Sequence, residues 1–171
     1  MSFFASQRQA IALKSAIFAA AFLMTASQGS AERGGGSPFQ GLSGYWSGGG
    51  TVTLRNGSTE RIRCKATYAV SSTGAALNQS LRCASDSYKL DISSNIIFQG
   101  GGISGTWSEA NHNVSGTVSG RASSGEISAA VGGGAFTASL SVRTHGNRQS
   151  VSIIPHGGTD VASVAVSLSR G

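Results

Sequence analysis

Arg61-Ile62-Arg63-Cys64-Lys65-Ala66-Thr67-Tyr68-Ala69-Val70 changes character at almost every step: Ile62, Cys64, Ala66, Tyr68 and Val70 are apolar or weakly polar, and Arg61, Arg63, Lys65 and Thr67 are charged or hydroxylated. A period of two marks a strand with one dry face and one wet face. Upstream, Gly50–Leu54 reaches this run through Asn56-Gly57, a pair that favours a tight hairpin because both residues tolerate positive φ. Downstream, a turn over Ser72–Gly74 returns the chain through Leu77, Gln79, Leu81 and Cys83, again at every second position. Centring that turn between Thr73 and Gly74 sets Cys64 opposite Cys83, Ala66 opposite Leu81 and Val70 opposite Leu77, so inward residues meet inward residues throughout. Facing residues of antiparallel neighbours have Cα atoms about 4.5 to 5.5 Å apart, within reach of a disulfide. Cys64 and Cys83 are the only cysteines in the chain, and the register predicts that they are bonded, closing a loop worth roughly 3 kcal/mol of chain entropy.

The same rhythm continues in Tyr88–Ile92, Asn95–Gln99, Ile103–Ser108, Val114–Gly120, Glu126–Val131, Ala135–Thr144, Arg148–Ile154 and Val161–Ser169, and no window carries a helical period. The chain is therefore expected to be all-β, with about eight to eleven strands. Connections as short as Gly100–Gly102, Gly132–Gly134 and His145–Asn147 leave no room for crossovers and force antiparallel neighbours. The simplest closure of such an up-and-down meander is a single barrel, flattened if its interior is small; a two-sheet sandwich is the alternative. Among the inward residues, Gly105, Gly116, Ala129 and Ala138 are small, which either leaves a cavity or lets the walls collapse onto one another.

Ahead of the strands, Arg8 and Lys14 precede the apolar run Ser15–Ala26, and Gly29-Ser30-Ala31 offers small residues for cleavage, so residues 1–31 read as an export signal. The apolar run is about a dozen residues against the roughly 20 that span a bilayer, and no transmembrane segment is expected after cleavage. The product is expected to be extracytoplasmic, periplasmic or secreted, where a disulfide persists. Residues 32–41, beginning Glu32-Arg33-Gly34-Gly35-Gly36, read as a mobile leader, and residues 42–171 as one domain. Of 13 Lys and Arg, two leave with the signal, and against seven acids the mature chain keeps a charge of +4. That excess, with few aromatics to stack on bases, gives no support to a nucleic-acid module.

Leu42-Ser43-Gly44-Tyr45-Trp46-Ser47 is echoed by Ile103-Ser104-Gly105-Thr106-Trp107-Ser108, an arrangement compatible with two duplicated half-barrels. Gly44-x-Trp46 resembles the Gly-x-Trp that opens the barrel in calycins, the group of lipocalins and avidin-like proteins. The resemblance implies a tryptophan that plugs one barrel end beneath a late arginine, for which Arg170 stands in the right place, and an open mouth that holds a ligand. Trp46, Trp107, Tyr68 and Arg170 are thus candidate barrel-end or ligand-lining residues. The bacterial barrel inhibitors of secreted metalloproteases are also similar, and that likeness implies a leader inserted into a protease cleft.

Other features carry less chemistry. Gly100-x-Gly102-x-x-Gly105 matches the dinucleotide-binding string but feeds the strand Thr106-Trp107 in place of the helix that pattern needs. His112, His145 and His156 are placed in separate turns, giving no metal site, and no serine occupies a nucleophile elbow. Asp86, Asp91, Glu109, Glu126 and Asp160 fall at turns or strand ends. No enzyme and no cofactor are expected. The densest charge is the wet row Arg61, Arg63 and Lys65, with Arg82 beside Lys65 and Asp86 beside Arg61, a candidate patch for an anionic partner. Such a charged outer face argues against an outer-membrane barrel. The reading is a non-enzymatic binding barrel for an apolar small molecule or an extracytoplasmic protein, with a ligandless envelope protein and a protease inhibitor as alternatives.

Overall fold

Cys64 and Cys83 form the disulfide, with Cα atoms 4.1 Å apart, on strands β2 (Thr59–Val70) and β3 (Ala76–Ala84). Their ladder is the expected one: Cys64 faces Cys83, Ala66 faces Leu81 and Val70 faces Leu77. The computed structural model describes residues 36–171; the stretch 1–31, expected to be an export signal, and residues 32–35 of the expected leader lie outside the described residues. The remaining strands are β1 (Gly44–Leu54), β4 (Lys89–Gln99), β5 (Gly102–Glu109), β6 (Val114–Ser123), β7 (Glu126–Gly133), β8 (Phe136–His145), β9 (Arg148–Gly157) and β10 (Val161–Arg170). Each pairs with its sequence neighbours, and β1 pairs antiparallel with β10, so the meander is a closed barrel and the sandwich alternative is excluded.

Eleven runs become ten strands because Tyr88–Ile92 and Asn95–Gln99 are one strand, β4. Ser93-Ser94-Asn95 reads as a break by composition, yet it keeps the parity: Leu90, Ile92, Ser94, Ile96 and Phe98 all face inward. Buried Ser94 is accommodated by donating its hydroxyl to Gln79 Oε1 at 3.2 Å. Parity also matters globally, since an up-and-down meander brings its last strand antiparallel to its first only when the strand number is even. At the hairpins, Gly57 adopts a φ of 84°, and Asn56 Oδ1 accepts the Ser58 N–H at 2.9 Å, which explains why Asn-Gly serves there.

The core lies inside the barrel and runs through Trp46, Val52, Ile62, Ala66, Leu77, Ile96, Ile103, Val118 and Leu168. Most serines, threonines and charged residues point outward, the reverse of a barrel bathed in lipid; Ser94 and Glu109 are buried exceptions. No helix among the described residues is long and apolar enough to cross a membrane. The expectation that order begins near Leu42 is corrected. Ser37–Gly41 forms a turn, with Gln40 N–H donating to Ser37 O at 2.9 Å and Leu42 N–H to Phe39 O at 3.0 Å. Phe39 is fully buried against the core, so the apolar ring overrides the flexibility of the glycines before it.

Candidate functional site

The two ends of the barrel differ. At the end where β1 begins, Phe39 meets Phe98 edge-on at 6.3 Å, and Ser37 hydrogen-bonds the Gly74 carbonyl, tying the entering segment across the opening. Beneath it Trp46, 1% exposed, donates its indole N–H to Leu42 O at 2.7 Å and packs edge-on against Tyr68 at 6.2 Å. The Arg170 guanidinium lies 4.9 Å from the centre of the Trp46 ring, a distance at which the cation is attracted by the ring face. Tyr68 donates to Gln149 Oε1 at 2.7 Å, and Gln149 Nε2 donates in turn to Thr144 Oγ1 at 3.2 Å. Burial pushes the Tyr68 hydroxyl up to about 12, the Gln149 bond offsetting only part of that. Aromatic rings and the Tyr68–Gln149–Thr144 chain fill this end, where Val70, Phe98 and Ile127 are half-buried and the buried Arg170 Nε has no hydrogen-bond partner.

At the opposite end the inward side chains are apolar and only half-buried: Leu54, Leu90, Trp107, Val131, Val161 and Val164 all keep part of their surface in solvent. Trp107 and Phe136 meet edge-on at 6.1 Å although two strands separate them. The register explains how: Trp107 stands opposite Gly116, and Phe136 opposite Gly133. A methyl at Gly116 would stand 1.8 Å from the Gly132 carbonyl oxygen, and one at Gly133 would stand 2.2 Å from that of Ser115, so only glycine lets β6 and β7 approach here. The two rings lean over the bare backbone from either side, and Trp107 Nε1–H reaches Gly132 O at 3.3 Å.

The rim of this mouth holds a polar knot. Buried Glu109 accepts from the backbone N–H of Asp91 (2.8 Å), Asn111 (3.1 Å) and His112 (2.7 Å), from the Asn111 side chain, and from the His112 ring at 2.6 Å. Burial acts to raise its carboxyl, but the donors together outweigh it and hold the group down at about 2. Apart from the Asp91 N–H on β4, every donor lies in the turn between β5 and β6, so the knot staples that turn to β4 and fixes one lip of the mouth. At another point of the rim, hydrogen bonds from Ser85 and Ser87 lower the Glu60 carboxyl.

Against known proteins, no family model and no curated protein matches the chain. Among solved structures, Rv2717c from M. tuberculosis is similar with a TM-score of 0.64 and 13% identity, over 78% of this chain and 94% of that one. The S-type phycobiliprotein lyase CPES from Guillardia theta is similar with a TM-score of 0.52 and 10% identity, over 78% of this chain and 90% of that one. The fold is a calycin-like barrel. At these identities the likeness is one of fold.

Within this calycin-like frame, Trp46, Tyr68 and Arg170 are brought together, and Trp107 is not among them: it stands at the other end, in the mouth. The half-barrel expectation is corrected accordingly. Two five-strand halves would carry β1 onto β6, whereas the Trp107 echo falls on β5, and Trp46 is the third residue of its strand while Trp107 is the sixth of its own. Arg61, Arg63, Lys65 and Arg82 all lie exposed on the outer wall, with Lys65 opposite Arg82 as expected. Asp86 is not beside Arg61, because the β2–β3 ladder ends at the pair of Arg63 and Ala84; the acid that engages the row is Asp91, 3.1 Å from Arg82. Of the histidines, His112 occupies a turn, but His145 ends β8 and His156 lies on β9, where its ring bonds Ser139 at 2.7 Å. Sequence reasoning missed Phe39, Phe136 and the Glu109 knot. The signal for Phe136 was its position facing a glycine; the signal for Glu109 was a lone acid kept at an inward parity.

Proposed function

We propose that this protein is a non-enzymatic, extracytoplasmic barrel that binds an apolar small molecule at the mouth framed by Trp107 and Phe136. One observation carries the reading: beneath Phe39 and Arg170 one barrel end is filled by the buried Leu42 and Trp46, whereas the inward apolar side chains nearest the other end, Leu54, Leu90, Trp107, Val131 and Val161, are all only half-buried. Apolar surface left partly in water around a barrel end costs stability and is a common mark of a ligand site. The likeness to a phycobiliprotein lyase supports a barrel that handles small molecules. The Cys64–Cys83 bond and the signal-like start of the sequence support export. The sealing turn Ser37–Leu42 is folded into the barrel end, which speaks against the leader being inserted into a protease cleft.

The test uses a neutral apolar fluorophore, N-phenyl-1-naphthylamine, in a Trp46→Phe variant whose only tryptophan is Trp107. Saturable one-to-one binding with a change in Trp107 emission, abolished by Val131→Glu in the mouth, is the expected result. Absence of saturable binding, or binding that Val131→Glu leaves intact, would overturn the proposal and leave the barrel as a ligandless envelope component.

A further inference from the structure

The outer wall of β1, β2, β3, β9 and β10 presents cations around a floor of hydroxyl groups. One cross-strand row reads Arg148, Ser169, Ser47, Lys65, Arg82 and Asp91, each residue directly opposite the next. Residues so paired share a face of the sheet. Arg61 and Arg63 extend the charge down β2 from Lys65 at intervals of about 7 Å, and Arg148 stands three strand spacings, or about 14 Å, across the serine floor. A concavity of about 410 Å³ opens in this wall, bordered by Tyr45, Ser47, Lys65, Ser80 and Arg82. Tyr45 is 75% exposed, although it is one of only three tyrosines in the chain.

This arrangement opposes stability. Lys65 and Arg82 are like charges directly facing each other, which destabilises a strand pair, and only Arg82 is relieved by Asp91. Among the described residues Arg61, Arg63, Lys65 and Arg148 form no ion pair. A local rule broken without compensation in the fold is characteristic of a binding surface.

We infer that this wall binds an anionic polysaccharide. The spaced cations meet carboxylate or sulfate groups, the serines exchange hydrogen bonds with sugar hydroxyls, and Tyr45 supplies a flat amphipathic ring against which a sugar can lie. A nucleic acid would call for several exposed aromatics to stack successive bases, and of the two that border the groove Trp46 is buried, which leaves Tyr45 alone. An anionic membrane would call for apolar side chains to insert among the lipids, and the floor is hydroxylic. The surface is separate from the mouth, and the inference stands whether or not the mouth binds a ligand.

The test measures binding of the purified protein to immobilised polygalacturonate, dextran sulfate and neutral dextran, at low and high salt. Wild type is expected to bind one or both anionic polymers in a salt-sensitive manner and to ignore neutral dextran; the tighter of the two names the anion. Arg61→Ser/Arg63→Ser/Lys65→Ser, checked for an unchanged circular-dichroism spectrum and urea midpoint, should weaken binding at least about tenfold. Tyr45→Ser, which removes a ring already in solvent, should weaken it several-fold while leaving its salt sensitivity. No binding to either anionic polymer, equal binding to neutral dextran, an unaffected triple variant, or tighter binding to single-stranded RNA or to phosphatidylglycerol vesicles would each overturn the inference.

Discussion

Reducing the Cys64–Cys83 bond should destabilise the barrel by roughly 3 kcal/mol. The two residues are separated by 19 positions, and the loop-closure entropy of a link of that length, about 11 cal/mol/K, amounts to that figure at 25 °C. The facing strands keep their ladder hydrogen bonds and both sulfur atoms stay buried, so the change falls mainly on the unfolded chain. A domain of this size unfolds with an entropy of about 0.3 kcal/mol per kelvin, which makes the expected loss in Tm about 10 °C. The assay is urea unfolding of one preparation with and without reductant, followed by Trp fluorescence and circular dichroism. Besides a lower midpoint, the reduced protein should show a steeper dependence on urea, because its unfolded chain exposes more surface. A reduced protein within about 0.5 kcal/mol of the oxidised one, with an unchanged slope, would refute the reasoning.

Glu109 should make the barrel acid-sensitive: its carboxyl sits at about 2 in the fold against an ordinary 4.5, so its stabilisation is complete above pH 4.5 and is lost as pH falls toward 2. About 2 kcal/mol is expected after allowing for screening, and urea midpoints across that range should flatten in Glu109→Gln. Gly116→Ala should cost about 2 kcal/mol or more by thermal melting, because its methyl would meet the Gly132 carbonyl, whereas Gly132→Ala, with nothing nearer than 4.0 Å, should stay within about 0.5 kcal/mol. Phe39→Ala should cost about 3 kcal/mol and shift Trp46 emission to the red, since the ring that seals the barrel end is removed.

What the sequence made legible depended on nearest neighbours. Strand parity, the Asn56-Gly57 hairpin and the Cys64–Cys83 register each follow from a rule that links a residue to one a few positions along or directly across a turn. The errors came where composition and parity disagree. Ser93-Ser94-Asn95 has the composition of a turn and the parity of a strand, and the ladder followed parity. Phe39 sits in a glycine-rich stretch, and its burial depends on an opening that exists only after β3, β4 and β5 have curved into place. The mouth was least legible, because Trp107 and Phe136 are joined through two intervening strands by the absence of side chains at Gly116 and Gly133. In a linear reading those glycines are merely small; in the folded wall they decide which aromatic rings can touch.

Nine of the ten strand interfaces join consecutive strands, and the tenth, between β1 and β10, sets Trp46 beside Arg170. Local hairpins can zip rapidly, but this seam must bring together residues at the two ends of the domain, and the entropy of closing so long a loop is recovered only at the final step. Refolding should therefore be limited by the seam, and a circular permutant that joins the end of β10 to the start of β1 and opens the chain at the Gly134 turn would turn the slowest contact into a local one.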